Sequence, residues 1–153
     1  MTDTSLLQRI QMLEDRAALK ALVDRSSNLA DTRDIDKQVL LFTEDARVNA
    51  YSDGKLTTAL QGRQHIGDAF LRFLSQFETV YHLNGQQTVE IAGDGARGTA
   101  YCLVVLIGHE DGRRVRTTMG VTYHDTYLRH DGAWLIATRI SNFAWSRREV
   151  VIS

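Results

Sequence analysis

Residues 82–112 have the sequence HLNGQQTVEIAGDGARGTAYCLVVLIGHEDG, and this stretch decides the fold of the chain. Apolar and polar residues alternate with a period of two around the turn signal GDG at 93–95, and the stretch ends in EDG at 110–112. The pattern continues through RRVRTTMGVTYHDTYLRHDG (113–132) and AWLIATRISNFAW (133–145), with a third turn signal, HDG, at 130–132. The turn signals lie 17 and 20 residues apart, so the pattern predicts long antiparallel strands in a meander.

The residues before this stretch have the periodicity of helices. Apolar residues recur at mostly three- and four-residue spacings from Leu6 to Val23, which predicts an amphipathic helix ending at about Leu29. The segment DIDKQVLLF (34–42) predicts a short second helix, and GRQHIGDAFLRFLSQF (62–77) predicts a third. Between these helices, TEDARVNAY (43–51) predicts a turn into a strand, and SDGKLTTALQG (52–62) predicts a loop or an edge hairpin.

Helices that precede strands in this way predict an α+β fold. We expect three helices in the N-terminal half to pack on one face of a strongly curved antiparallel or mixed sheet. Such an arrangement forms a cone with a pocket suited to a small molecule. The 153 residues fit a single domain spanning 1–153.

Composition excludes several classes of function. The net charge of −1, from 18 basic and 19 acidic residues, does not indicate a nucleic-acid or membrane partner. The single cysteine, Cys102, cannot form an internal disulfide and fits a reducing compartment. No apolar run approaches the length of a membrane-spanning helix, and the N-terminus lacks the features of a signal peptide, so we expect a cytoplasmic protein. The sequence has no zinc-ligand spacing, P-loop, GxGxxG or GxSxG motif.

Among the five histidines, His82 is the strongest candidate for chemistry. It opens the first long strand beside apolar residues, and an imidazole there could act as a general base near neutral pH. The alternative is a half-buried histidine that bonds to the backbone. Asp31 is the candidate partner that would hold the other ring nitrogen, although Asp31 or Asp34 could instead cap the second helix. His65, His109 and His130 are expected on the surface.

A second group of polar residues lies on one later strand. By the period of two, Tyr123, Asp125 and Tyr127 share a face, and they could line a polar pocket or form an aromatic pair at an interface. Asn142 and Arg139 on the last strand are weaker candidates. Trp134 is expected in the core.

The order of these segments is similar to that of a known family. An amphipathic helix, then ADTRDIDKQVLLFTEDARV (30–48), GRQHIGDAFLRFL (62–74), YHLNGQQTVEIAGDGARGTAYC (81–102) and YHDTYLRHDGAWLIATR (123–139) together resemble the SnoaL-like branch of the nuclear transport factor 2-like superfamily. The resemblance covers roughly residues 5–146. Within the branch, the layout is most similar to that of scytalone dehydratase and hexachlorocyclohexane dehydrochlorinase.

The resemblance implies a cone-shaped fold, a homodimer or homotrimer, and catalysis without a metal or organic cofactor. It places the family's catalytic histidine on His82 and its aspartate on Asp31. The chain departs from the dehydratase at four pocket positions. Leu106 replaces a second histidine, Ala30 and Ala50 replace two tyrosines, and an asparagine falls near Tyr123. Tyr51 is one residue from the second tyrosine position and would face the opposite side unless a bulge intervenes.

We therefore predict a cofactor-independent lyase or isomerase that acts on an apolar cyclic or aromatic small molecule, with His82 and Asp31 abstracting a proton. Tyr123 is the expected proton donor or oxyanion partner. The predicted substrate-binding residues are Asp125, Asn142, Tyr51, Leu106, Val104 and Phe73. The alternative is a non-catalytic module of the same fold that binds a small molecule or serves as a partner subunit.

Overall fold

The computed structural model describes residues 3–152 and contains three α-helices and six β-strands. The helices are α1 (Asp3–Asp31), α2 (Ile35–Gln38) and α3 (Arg63–Leu74), with a 3-10 turn at Val39–Leu41. The strands are β1 (Phe42–Ser52), β2 (Lys55–Gln61), β3 (Thr79–Ala92), β4 (Gly95–Glu110), β5 (Arg113–His130) and β6 (Ala133–Val150). None of the helices within residues 3–152 has both the length and the apolar character needed to cross a membrane.

The six strands form one mixed sheet with the order β2-β1-β6-β5-β4-β3. Strands β1 and β6 run parallel, and the other four neighbouring pairs run antiparallel. The sheet is curled but not closed, because β2 and β3 lie at its two edges. The predicted α+β fold, with helices packed on a curved mixed sheet, is confirmed.

Two-residue turns connect the strand pairs at the predicted positions. At Asp53, Asp111 and Asp131 φ is +50°, and the glycine after each has φ between +73° and +78°. This is the pattern of a type I′ turn, whose twist matches that of the flanking strands. In the GDG turn only Gly93 has a positive φ, +61°, which is the pattern of type II′. The segment 52–62, for which the sequence allowed a loop or a hairpin, is an edge hairpin.

The core lies between the helices and the inner face, which is the face of the sheet that the helices cover. Buried inner-face residues on adjacent strands meet buried residues of α1 and α3. They include Val104, Leu106, Val121, Ile136, Phe42, Leu19, Val23 and Ile66. The first turns of α1 do not join this core, because Leu6, Leu7, Ile10 and Leu13 are 44–66% exposed. Only the second half of the predicted apolar stripe is therefore buried within the chain.

A β-bulge in β3 changes which side chains of that strand reach the inner face. In β3, Asn84 pairs with Cys102 but Gln87 pairs with Ala100, so one extra residue lies between them. Without that residue, counting from the Ala92–Gly95 pair would place His82 opposite Val105, on the outer face. The bulge reverses the alternation, and His82 instead pairs with Val104 on the inner face.

A buried carboxylate joins α1 to the hairpin between β5 and β6. Asp15 accepts hydrogen bonds from both terminal nitrogens of Arg129, at 2.6 and 2.9 Å, and from the indole nitrogen of Trp134 at 3.1 Å. The guanidinium of Arg129 also lies 4.4 Å from the centre of the Trp134 ring. Hydrogen bonding to Arg129 is the main reason that the pKa of Asp15 falls from 3.8 to about 2. Asp15 thus ties the middle of α1 to the far end of the sheet, and Trp134 is buried as predicted.

Replacing Asp15 should make stability less sensitive to acid. The folded-state pKa is depressed, so the stabilisation by Asp15 is full above about pH 4 and is lost as the pH falls from 3.8 towards about 2. We expect Asp15→Asn to lower the free energy of unfolding at pH 7 by about 1–3 kcal/mol, because Arg129 loses its buried charged partner. Urea unfolding followed at several pH values between 2 and 7 measures both effects.

Asp94→Asn is the matched control, because Asp94 also binds Arg129 but its side chain is 84% exposed. Exposed ion pairs contribute little, so this variant should unfold like the wild type. If the free energies of unfolding of Asp15→Asn and the wild type changed in parallel between pH 2 and 4, Asp15 would not be the carboxylate that makes the protein sensitive to acid.

Candidate active site

Asp31 lies in the last turn of α1 because that helix extends two residues beyond the predicted end at Leu29. The amide of Asp34 donates to Leu29 and the amide of Arg33 donates to Ala30, which is the Schellman pattern of a helix C-terminus. Arg33 occupies the left-handed position of this motif, with φ +58°. Its guanidinium donates to the carbonyls of Leu74 and Phe77, just before β3. Arg33 therefore ends α1 and also holds the segment that leads to His82.

His82 and Asp31 form a two-point contact between β3 and α1. Nδ1 of His82 lies 2.6 Å from Oδ1 of Asp31, and the backbone amide of His82 donates to Oδ2 at 3.1 Å. An ionised carboxylate only accepts hydrogen bonds, so the proton of the neutral imidazole lies on Nδ1 and the lone pair lies on Nε2. The pairing of the predicted base with the predicted carboxylate therefore also sets the tautomer.

Nε2 of His82 is the ring nitrogen that remains available. Among residues 3–152 it has no protein partner, and it is not one of the fully buried polar atoms that lack one. The side chains of His82 and Asp31 are 13% and 22% exposed, respectively. The pair is thus mostly shielded from water, and Nε2 is not occupied by another group of the described residues.

The structure gives no support to helix capping as the role of either aspartate. Asp34 occupies the N-cap position of α2 but makes no side-chain capping hydrogen bond, and its carboxylate lies 3.1 Å from Lys37. Asp31 belongs to α1, and its carboxylate contacts His82.

Two predicted wall residues lie close to His82 in the sheet, and one lies at the surface. Val104 is the register partner of His82, and Leu106 is the partner of Val80. Both are buried, with at most 4% of their surface exposed. Phe73 on α3 is 48% exposed and stacks edge-on against Phe77. Val104 and Leu106 are therefore placed to keep the site dry, whereas Phe73 is not.

Tyr123, Asp125 and Tyr127 share the inner face, as the period of two predicted, and they gather around Arg139. Asp125 accepts two hydrogen bonds from Arg139, at 2.8 and 2.9 Å, and one from the Tyr127 hydroxyl at 2.8 Å. The guanidinium of Arg139 lies 3.9 Å from the centre of the Tyr123 ring. The side chain of Asp125 is fully buried, so this predicted substrate-binding carboxylate binds protein groups instead.

Burial determines the protonation states in this cluster. It raises the pKa of Tyr123 and of Tyr127 well above the usual range of a phenol. It also raises the pKa of the nearby Cys102 thiol to about 11. Burial disfavours the charged guanidinium, but the Asp125 carboxylate outweighs this and raises the pKa of Arg139. At neutral pH the cluster therefore holds an ion pair and protonated hydroxyl and thiol groups.

Tyr51 and Asn142 are not brought to the inner face. Asn142 pairs with Thr122, which precedes inward-facing Tyr123, and Tyr51 pairs with Asn142. The bulge between β1 and β2 adds its extra residue to β2, so it does not turn Tyr51 inward. Register therefore directs both predicted pocket side chains away from His82.

The other histidines make exposed contacts. His109 lies 3.5 Å from Glu78, His130 lies 3.3 Å from its neighbour Asp131, and Nδ1 of His65 accepts from a backbone amide at 3.2 Å. His124 borders an open groove of about 340 Å³ on the outer face, together with Thr99, Thr126 and Thr138. His82 lies on the opposite face of the sheet, so this groove is not part of the candidate site. Among the described side chains, no three or more His, Cys, Asp or Glu groups are arranged to hold a metal ion.

Solved structures of proteins with different names share this fold. A proposed scytalone dehydratase from Novosphingobium aromaticivorans aligns with a TM-score of 0.76 at 19% identity, covering 100% of this chain and 95% of the other. A proposed aromatic ring hydroxylase from the same organism aligns with a TM-score of 0.77 at 26% identity over 91% and 94% of the two chains. Hexachlorocyclohexane dehydrochlorinase LinA-type3 from Novosphingobium barchaimii aligns with a TM-score of 0.78 at 17% identity over 94% and 96%.

No curated protein matches the sequence. A family model does: the model of the SnoaL-like domain matches residues 11–140, which include most of α1, strands β1 to β5 and both members of the His82–Asp31 pair. This match and the shared fold confirm the resemblance deduced from segment order. The chain therefore belongs to the SnoaL-like domain family, within the nuclear transport factor 2-like superfamily.

Proposed function

We propose that this protein is a cofactor-independent lyase or isomerase acting on an apolar cyclic or aromatic small molecule. The observation that carries the proposal is the 2.6 Å contact between Nδ1 of His82 and Asp31, which leaves Nε2 without a protein partner among the described residues. Such a base is positioned by one nitrogen and reacts through the other.

The reaction begins with removal of a proton by Nε2 of neutral His82 from a carbon beside the one that bears the leaving group. The C–H electron pair becomes the new double bond, and the leaving group departs with the electrons of its bond. If the leaving group is hydroxide, the proton on His82 passes to it and water is released. If it is a halide, the anion leaves and the proton passes to solvent. In an isomerase, the proton returns to another carbon of the same molecule.

Asp31 contributes by stabilising the imidazolium that forms during this step. Its carboxylate already holds Nδ1–H, so no reorientation is needed when Nε2 gains a positive charge. The carbonyl groups at the C-terminus of α1 favour that charge too. Buried Val104 and Leu106 beside β3 limit water and strengthen the hydrogen bond.

Tyr123 is the proposed hydroxyl donor to a developing enolate or leaving group. Because burial raises the pKa of Tyr123, the phenol stays protonated at neutral pH and can donate a hydrogen bond. The guanidinium of Arg139 packs over the Tyr123 ring and fixes its position. Leu106, Ala30 and Ala50 replace polar residues of the dehydratase pocket, which favours a more apolar substrate than scytalone.

Two neighbours support elimination as the reaction class. Their names describe a dehydratase and a dehydrochlorinase, which remove water and hydrogen chloride, respectively. A third neighbour, at 26% identity, is named as a proposed aromatic ring hydroxylase, and that name does not describe an elimination. The alternative is a ligand-binding or partner-subunit module of the same fold. A module of that kind requires a cavity but does not require an oriented base.

We also propose that the protein assembles as a homodimer or homotrimer through the outer face of the sheet. Tyr81, Leu83, Tyr101, Leu103 and Trp145 on this face are 38–56% exposed. Leu83, Leu103, Gly120 and Trp145 are consecutive register partners and form one row across four strands. The three aromatic rings alone expose on the order of 300 Å², which approaches the largest apolar patch of a typical monomer.

The first prediction for this site concerns Asp31→Asn. The asparagine amide can donate to Nδ1, which favours the wrong imidazole tautomer, so we expect the elimination rate to fall by about 10²–10⁴-fold. The measurement is release of chloride from hexachlorocyclohexane and release of water from cyclic β-hydroxy ketones. His109→Gln, which changes an exposed histidine, should retain the wild-type rate.

Equal rates for Asp31→Asn and the wild type would exclude the pair as the catalytic base. Absence of turnover in the wild type, combined with saturable binding of the same compounds, would favour the binding module.

The second prediction concerns assembly. We expect Leu103→Lys to lower the mass measured by sedimentation equilibrium to that of one chain, because a charge cannot be buried in an apolar interface without a partner. Leu71→Lys, at a 51% exposed site on α3, is the control and should retain the wild-type mass. If Leu103→Lys kept the mass of the wild-type assembly, the outer face would not be the interface.

A further inference from the structure

A row of polar contacts joins α1 to β3 on the side of the sheet that carries His82. On α1, the spacing of Asp24, Ser27 and Asp31 places these residues on one face of the helix. On β3, His82 and Asn84 share the inner face, next to the bulge. Asp31 contacts His82, whereas Asp24 and Ser27 contact Asn84.

Asn84 makes more contacts with α1 than His82 does. Its amide nitrogen lies 3.0 Å from the carboxylate of Asp24, 3.0 Å from the hydroxyl of Ser27 and 3.3 Å from the carbonyl of Val23. Its amide oxygen accepts from the Ser27 hydroxyl at 3.2 Å. Ser27 is buried, so its hydroxyl depends on Asn84 for hydrogen bonding. One side chain of β3 thus fixes about one turn of α1.

The dimensions of the two elements make this second anchor effective. Residues Ser27 and Asp31 are separated by about 6 Å along a helix axis, and residues His82 and Asn84 by about 6.6 Å along a strand. The two contacts therefore fit together in one register, with α1 and β3 running in opposite directions. Rotation of α1 by a single residue, about 100°, would break both contacts.

Asp31 needs such an anchor because its own position is unfavourable. A carboxylate in the last turn of a helix lies beside the negative end of the helix dipole, and helix ends fray. The contacts of Asp15 hold α1 at its middle, about four turns before Asp31. The contacts of Asn84 hold the helix about one turn before Asp31, where they fix the rotation of its last turn.

We propose that Asn84 is a positioning residue that holds α1 in the rotation at which Asp31 accepts a hydrogen bond from Nδ1 of His82. This role rests on the proposed function of the His82–Asp31 pair. Asn84 acts through α1 and does not need to touch the substrate.

The test is ¹⁵N NMR of the imidazole nitrogens above the titration range of histidine, where the resonance of each nitrogen reports whether it carries the proton. His82 is assigned by comparison with His82→Gln. The wild type should show a single Nδ1–H tautomer. Asn84→Ala should shift the His82 resonances towards the average of two tautomers, in the same direction as Asp31→Asn. Ser27→Ala is the second variant, in case Asn84→Ala does not fold, and should give a smaller shift of the same sign.

Gln87→Ala is the matched control. Gln87 also donates its side-chain amide to α1, to the carbonyl of Leu19 at 3.2 Å, but it lies on the other side of the β3 bulge from His82. The Gln87→Ala variant should be less stable than the wild type but should keep the same tautomer of His82. A merely structural role of Asn84 would give Asn84→Ala and Gln87→Ala the same NMR result.

The outcomes separate this proposal from the proposed function. If the wild type shows the Nδ1–H tautomer and folded Asn84→Ala and Ser27→Ala retain it, Asn84 does not position the pair, but the pair itself stands. If the wild type shows no preference and Asp31→Asn changes nothing, the pair does not exist in solution, and both proposals are overturned.

Discussion

The bulge in β3 between Asn84 and Gln87 reverses the alternation of side chains along that strand. On its C-terminal side the odd-numbered residues Val89 and Ile91 pack against the core, whereas on its N-terminal side the even-numbered residues Val80 and His82 face inward. α1 contacts the strand on both sides of the bulge, through Asn84 and Gln87. Removal of the extra residue would turn His82 to the outer face, because a shift of one residue exchanges the two faces of a strand.

A second bulge has a similar effect on the buried charges. Counting from the His130–Ala133 pair would place Asp125 opposite Thr138, but an extra residue in β6 places it opposite Arg139 instead. The ion pair that results is buried, and a buried pair is stable only when both partners are present and hydrogen-bonded. Here Tyr127 supplies a further hydrogen bond and the Tyr123 ring covers the guanidinium. The regular hairpins therefore form the sheet, and the bulges in β3 and β6 determine that His82 and Arg139 face inward.

The ion pairs between carboxylates and arginines in this chain are either buried or exposed. Asp15 and Arg129 hold α1 to the end of the sheet, and Asp125 and Arg139 lie within the core. Exposed pairs such as Arg97–Glu90 join neighbouring strands and contribute less, because water and salt screen them. Asp31 differs from both groups, since its partner is a histidine with a free ring nitrogen. The buried pairs of Asp15 with Arg129 and of Asp125 with Arg139 stabilise the fold, whereas the His82–Asp31 contact leaves Nε2 of His82 available.

The sequence by itself determined the fold class, the hairpins and the identity of the two residues in the candidate site. Period-two alternation and Asp-Gly turns are local features, so they specified β3 to β6 without any tertiary contact. The order of the segments, which also requires no tertiary contact, indicated His82 and Asp31. Tertiary structure alone decided that Arg139 pairs with Asp125, that Tyr51 and Asn142 face outward, and that Phe73 is half exposed. The physical reason is that alternation does not mark where a bulge adds a residue, as in β3 and β6 but not in β1, and each added residue changes the face of every later side chain. A helix residue such as Phe73 is buried only where another element covers it.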